Sequence, residues 1–191
     1  MKHPFQAIPH RQKKSALLIL TLLTVLLLFV MNWIGVPLIT SIAPAGIVSF
    51  EFAGNALRVE EILNSWDHWA QLFASLSLGL DYLFMLVYSS AIALACVMAG
   101  DALLSMRWLL PSLGVPLAWG QWTAALFDAV ENYALIYILT NGVFSPWPEI
   151  SRFCATIKFT LIALGMLYSL YGFIGHLANR QQRKMIDLSH P

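Results

Sequence analysis

Four ionisable side chains lie inside stretches that otherwise read as membrane-crossing helices: Asp81, Asp128, Glu131 and Lys158, with Asn132 beside Glu131. Carboxyl and ammonium groups can hold one another, pass protons, or bind a cation or a hydrogen-bond-donating ligand. Placing them in lipid is costly enough that a functional role is the first expectation. On an insertion scale each costs about 2.5–3.5 kcal/mol at a helix centre, on the order of 10 kcal/mol for four acting independently. Three acids face a single base. Lys158 can neutralise one carboxylate, so the others call for protons, a bound cation or a positively charged partner.

Spacing puts these groups together. At 3.6 residues per turn Asp128 lies about 60° from Glu131 and about 40° from Asn132, so the three share one helix face. Ala124 and Ala125 continue that face as small residues. It is predicted to look away from lipid, where polar groups would find no partners. Asn32 is placed to complete the same layer. Glu51, held between Phe50 and Phe52, is expected either to reach into the layer or to stay solvated, since carboxylates are rarely buried unpaired.

The elements that position these residues follow from composition. The chain has 191 residues, of which 59% are hydrophobic and 11% charged, and its mean hydropathy is +0.70. That combination points to an integral membrane protein. Apolar runs long enough to cross a bilayer occur at Ala16–Val36, Phe73–Gly100, Gly114–Thr140 and Phe153–Leu177. The expected fold is an all-α, single-domain membrane protein over residues 1–191, a bundle of four transmembrane helices. Between the first and second helices lies an outer segment, 37–72, and from Ile47 to Phe73 the chain carries Phe50, Ala53, Leu57, Ile62, Trp66, Trp69 and Phe73 at near-helical spacing. An amphipathic interfacial helix fits this pattern. The first helix, Leu-rich with only Thr21, Thr24 and Asn32 as polar residues, reads as lipid-facing. Ala91, Ala95 and Ala99, and Gly165 with Ser169, form small-residue stripes suited to close helix packing.

Placing the amino terminus in the cytoplasm puts Lys2, Arg11, Lys13, Lys14, Arg107, Arg180, Arg183 and Lys184 inside, and only Arg58 and Arg152 outside. The positive-inside rule therefore predicts both termini in the cytoplasm. Tryptophans agree, with Trp33, Trp66, Trp69 and Trp147 as an outer belt and Trp108, Trp119 and Trp122 as an inner one. Helix rise then sets depth: Asp81 and Lys158 about 8 Å from the outer boundary, Glu131 and Asn132 about 14 Å, and Asp128 about 20 Å, near the midplane. The basic start and apolar first run could be a cleaved signal peptide, but the run is long for one and an uncleaved helix is expected.

Several chemistries are excluded or unsupported. No H-E-x-x-H, G-x-S-x-G or Walker A motif is present. The histidines, His3, His10, His68, His176 and His190, all fall away from mid-membrane depth, which argues against paired-histidine haem or a multi-histidine zinc site. No metal ligand set is assigned, although Asp81, Asp128, Glu131 and Glu51 are chemically suited to a hard cation. Cys96 and Cys154 are expected near opposite faces and unpaired. The basic residues flank membrane segments, so nucleic-acid binding has no support.

The expected function is binding or translocation of a small polar or cationic ligand, or of protons, through a pocket open to the outer side with Asp128 and Glu131 as its floor. Two other classes stay open. One is a structural or assembly subunit whose charges only pair helices, and the other is a membrane enzyme using the carboxylates as acid and base or as metal ligands. The expected partners are the lipid bilayer, the ligand, and a second copy or a larger membrane complex. The setting expected is a bacterial inner membrane, with the cofactor unknown.

Overall fold

A computed structural model describes the backbone of residues 2–189 and the side chains of residues 2–9 and 11–178. The side chains of His10, Arg180, Arg183 and Lys184, as well as His190, lie outside this description. All regular structure in the described residues is helical. The elements are α1 (His10–Ile34), α2 (Ile47–Glu51), α3 (Ala56–Ser65), α4 (His68–Ser105), α5 (Gly114–Asn141) and α6 (Trp147–Ser189), with short 3-10 turns at Pro4–Ala7, Val36–Leu38 and Pro111–Leu113.

Three segments are long and apolar enough to cross a membrane: Arg11–Ile34, His68–Ser105 and Trp147–Ala178. The fourth apolar run coincides with α5, which at 28 residues is roughly 42 Å long. It is less apolar because Gln121, Asp128, Glu131 and Asn132 lie along one buried face.

Side-chain contacts fix how the helices run. Lys13 Nζ, near the start of α1, donates to Asp101 Oδ2, near the end of α4, at 2.9 Å. His3 packs against Trp119 and Trp122, near the start of α5. At the other end of the molecule Trp66 Nε1 donates to the Leu38 carbonyl at 2.9 Å, and Ser151 Oγ, at the start of α6, donates to the Glu51 carbonyl at 3.1 Å. Successive long helices are therefore antiparallel. Among them α4, α5 and α6 pack on one another while α1 leans on α4, leaving its outer face, Leu22, Phe29 and Trp33, exposed.

Helix ends follow local chemistry. Asp67 caps α4 by accepting from the Ala70 N–H at 2.7 Å, and Asn55 caps α3 by accepting from the Arg58 N–H at 2.9 Å. α5 ends at Gly142, whose φ of +93° suits a residue without a Cβ.

The outer segment departs from the single interfacial helix expected over 47–73. It folds as α2 and α3, broken at Phe52–Asn55, where Gly54 takes a φ of +71°, and α4 starts at His68. The break shifts the helical phase. Val59 joins Phe50, Ile62 and Trp66 in the core, while Leu57 and Trp69, expected on the apolar face, are each 69% exposed. Trp66, expected in the outer belt, is instead a core residue, 3% exposed, because its indole N–H reaches the Leu38 carbonyl. Cys96 and Cys154 are both free and buried.

Candidate functional site

α5 presents Asp128, Glu131 and Asn132 from one face, all three buried. Leu135 and Ile138 follow on the same stripe, so the polar groups interrupt an otherwise apolar packing face. α6 supplies Lys158 two turns after Ser151, and α4 supplies Ser77, Asp81 and Tyr88, all buried. The last pair is seven residues apart and so within about 20° around the helix.

Lys158 is the centre. Its Nζ donates to Asp128 Oδ1 at 2.8 Å and to Glu131 Oε1 at 2.9 Å, and lies 3.6 Å from Glu51 Oε2. An ammonium has three donors; two are used by Asp128 and Glu131, and Glu51 Oε2 stands just beyond hydrogen-bonding distance. The single positive charge still offsets one carboxylate, as expected, but it is shared among three that lie within 4 Å. Asp128 is satisfied on both oxygens, since the Tyr88 hydroxyl donates to Oδ2 at 2.8 Å. Asp81 stands to one side and accepts from Asn132 Nδ2 at 2.7 Å.

Glu51 does reach into this layer. The hydrogen bond from Ser151 to its carbonyl anchors the end of α2 on α6, and the side chain points down toward Lys158. Burial, foremost, pushes the Glu51 carboxyl above the ordinary carboxylate range, with the Lys158 ammonium acting in the opposite direction. Three carboxyl groups thus lie around one ammonium, with that of Asp81 beside them. Within this cluster the buried atoms without a hydrogen-bond partner are Glu51 Oε2, Glu131 Oε2 and Asn132 Oδ1. Each is an acceptor, and buried acceptors are ordinarily paired. No three His, Cys, Asp or Glu side chains among the described residues are arranged to hold a metal ion.

A cavity of about 280 Å³ adjoins the cluster, lined by Glu51, Ser77, Asp81, Tyr88, Asp128 and Lys158, and closed on one side by the turn at Gly46. Glu131, expected at the floor with Asp128, is fully buried behind Lys158 and does not line it. Asn32 lines the cavity from α1 but does not join the charged layer; its Nδ2 donates to the Leu28 carbonyl of its own helix at 2.8 Å. That bond is the local alternative open to an amide on an exposed helix face.

No family model, curated protein or solved structure matches this chain. The site's chemistry therefore rests on its own geometry. Sequence reasoning missed Tyr88, Ser77 and Ser151. The first two carried a signal, since Ser77, Asp81 and Tyr88 recur on one face of α4 at intervals of four and seven. Ser151 carried none, because its partner is a backbone carbonyl 100 residues away in the chain.

Proposed function

We propose that the protein is a four-span helical bundle in a bacterial inner membrane, with both termini cytoplasmic, whose outer-half cavity binds a small ligand that supplies hydrogen-bond donors or positive charge. In this reading α5 is the fourth crossing helix and α2 with α3 lie at the outer interface. Its buried polar face is what lowers its apolarity, and the alternation of helix ends favours a crossing. The observation that carries the binding reading is Glu51 Oε2, a buried acceptor on the cavity wall that receives no hydrogen bond, next to Asp81 and Asp128. A network serving only to pair helices has no reason to leave this acceptor open on a cavity wall, because an open buried acceptor costs about 1–3 kcal/mol.

One observation favours a structural contribution in the same residues: Tyr88, Asp128 and Lys158 link α4, α5 and α6 through two short hydrogen bonds. Native mass spectrometry with metal analysis separates the readings. Wild-type protein is expected to carry a bound small molecule or cation that Asp128→Asn and Glu51→Gln release while remaining folded. Variants that lose stability, with no change in what is bound, would leave helix pairing as the role of the cluster.

A further inference from the structure

The polar cavity does not end at the charged layer. It continues along α1 into an apolar groove of about 690 Å³ between α1, α4 and α6. Leu28, Phe84, Tyr88, Phe159 and Ile162 line both spaces, so the two adjoin and a head group in one stands next to a chain in the other. On α1 the groove runs from Leu17 to Leu28, eleven residues or about 16 Å at the helical rise. That is close to half of the hydrocarbon thickness of about 30 Å, the share of one leaflet.

The wall changes character along its length. Near Lys158 it presents Glu51, Asp81 and Asp128. Further along it is apolar, apart from Thr21, Thr24 and Ser169. Thr24 and Ser169 turn their hydroxyls onto their own helices, accepted by the Leu20 carbonyl at 2.8 Å and the Gly165 carbonyl at 2.8 Å, so each presents little unpaired polarity to the groove. Thr21, Thr24 and Asn32, the polar residues of α1's apolar run, all line the two spaces, whereas Leu22, Phe29 and Trp33 face away and are exposed.

Resting on the binding reading above, we infer that the ligand is a membrane amphiphile with a cationic amine head group seated in the carboxylate cavity and an apolar chain lying in the groove along α1. Charge complementarity selects the head. The cavity offers carboxyl acceptors, one of them without a donor, and its only lining ammonium is already engaged by carboxylates. An ammonium head would supply the missing donors, whereas a phosphate or sulfate head would meet acceptor on acceptor. Together the two spaces reach the size of ligand sites, about 300–1,000 Å³. The head lies toward the end of the molecule that carries α2 and α3 and the chain points away from it, the orientation of a lipid in the outer leaflet.

The test uses the full chain in phosphatidylcholine nanodiscs and a dodecylamine analogue with a photoreactive diazirine near the end of its chain. Labelling is expected on groove residues such as Thr21, Val25, Met166 and Leu170. Unlabelled dodecylamine should compete about tenfold better than dodecyl sulfate, a difference of about 1.4 kcal/mol, and better than ethylamine. Thr24→Trp and Met166→Trp fill the groove from opposite sides without touching the charged layer, and each should lose labelling while its thermal unfolding is retained. Label spread equally over Leu22 and Phe29, or equal competition by amine and sulfate, overturns the inference. Should ethylamine compete as well as dodecylamine, the chain assignment fails and the binding reading stands. Unchanged competition in Asp128→Asn would sink both.

Discussion

At the scale of single residues, Lys158 decides the state of the cluster because it is the only base among several buried acids. Its ammonium sits within hydrogen-bonding distance of Asp128 and Glu131 and within 3.6 Å of Glu51. Removing one partner of a buried ion pair is far costlier than removing the set, because the remaining charge keeps its desolvation penalty without compensation. Lys158→Met should therefore destabilise the protein by about 3–5 kcal/mol. Adding Asp128→Asn and Glu131→Gln to that variant should recover much of the loss, a strongly non-additive result expected of residues in one network. Thermal unfolding in a single detergent measures both. A Lys158→Met protein as stable as wild type would mean that the ammonium is not what holds these carboxylates.

At the scale of the helices, close approach is what lets the charged layer form. Gly172 of α6 lies against Ala99 of α4 so tightly that a Cβ at position 172 would fall 2.4 Å from that of Ala99. Gly114, at the start of α5, faces the Cys96 carbonyl, 2.7 Å from where its own Cβ would stand. Gly172→Val should thus force α4 and α6 apart, at a cost of about 1–3 kcal/mol or more from overpacking, read as a lower unfolding temperature. The exposed Gly79, whose Cβ would meet nothing within 4 Å, serves as control: Gly79→Ala should not destabilise. The sequence carried part of this. The stripes at Ala91, Ala95 and Ala99 and at Gly165 and Ser169 were visible as periodicity, and so was the shared face of Asp128, Glu131 and Asn132, because both depend only on helical repeat. The pairing of Gly172 with Ala99, and of Ser151 with the Glu51 carbonyl, depends on which helix faces which, and no local pattern encodes it. The breaks at Gly54 and before His68 were invisible for another reason: each resets the helical phase, so the apolar repeat drawn through 47–73 does not continue as one stripe, and Leu57 and Trp69 stand exposed away from Phe50, Ile62 and Trp66.

At the scale of the whole molecule, the end that faces outward sets the side from which the cavity is reached, and this is testable without knowing the ligand. The contacts place α3 and the start of α6 at one end, and the end of α4 with the amino-terminal turn at the other. The positive-inside rule assigns the second end to the cytoplasm through Lys13, Lys14 and Arg107. Both native cysteines are buried, so single introduced cysteines can report on sidedness against a low background. Glu60→Cys on α3 and Glu149→Cys on α6, both at exposed positions, should react with a membrane-impermeant maleimide in intact cells. Ser105→Cys, exposed at the end of α4, should react only after the membrane is opened. Protection of positions 60 and 149 with labelling of 105 would invert the frame and open the cavity to the cytoplasm. Labelling of 60 alone, with 105 and 149 both protected, would mean that α5 does not cross, because Glu149 would then share a side with Ser105. The charged layer would then lie in a partly submerged helix, and an outer-leaflet amphiphile would no longer fit the groove's direction.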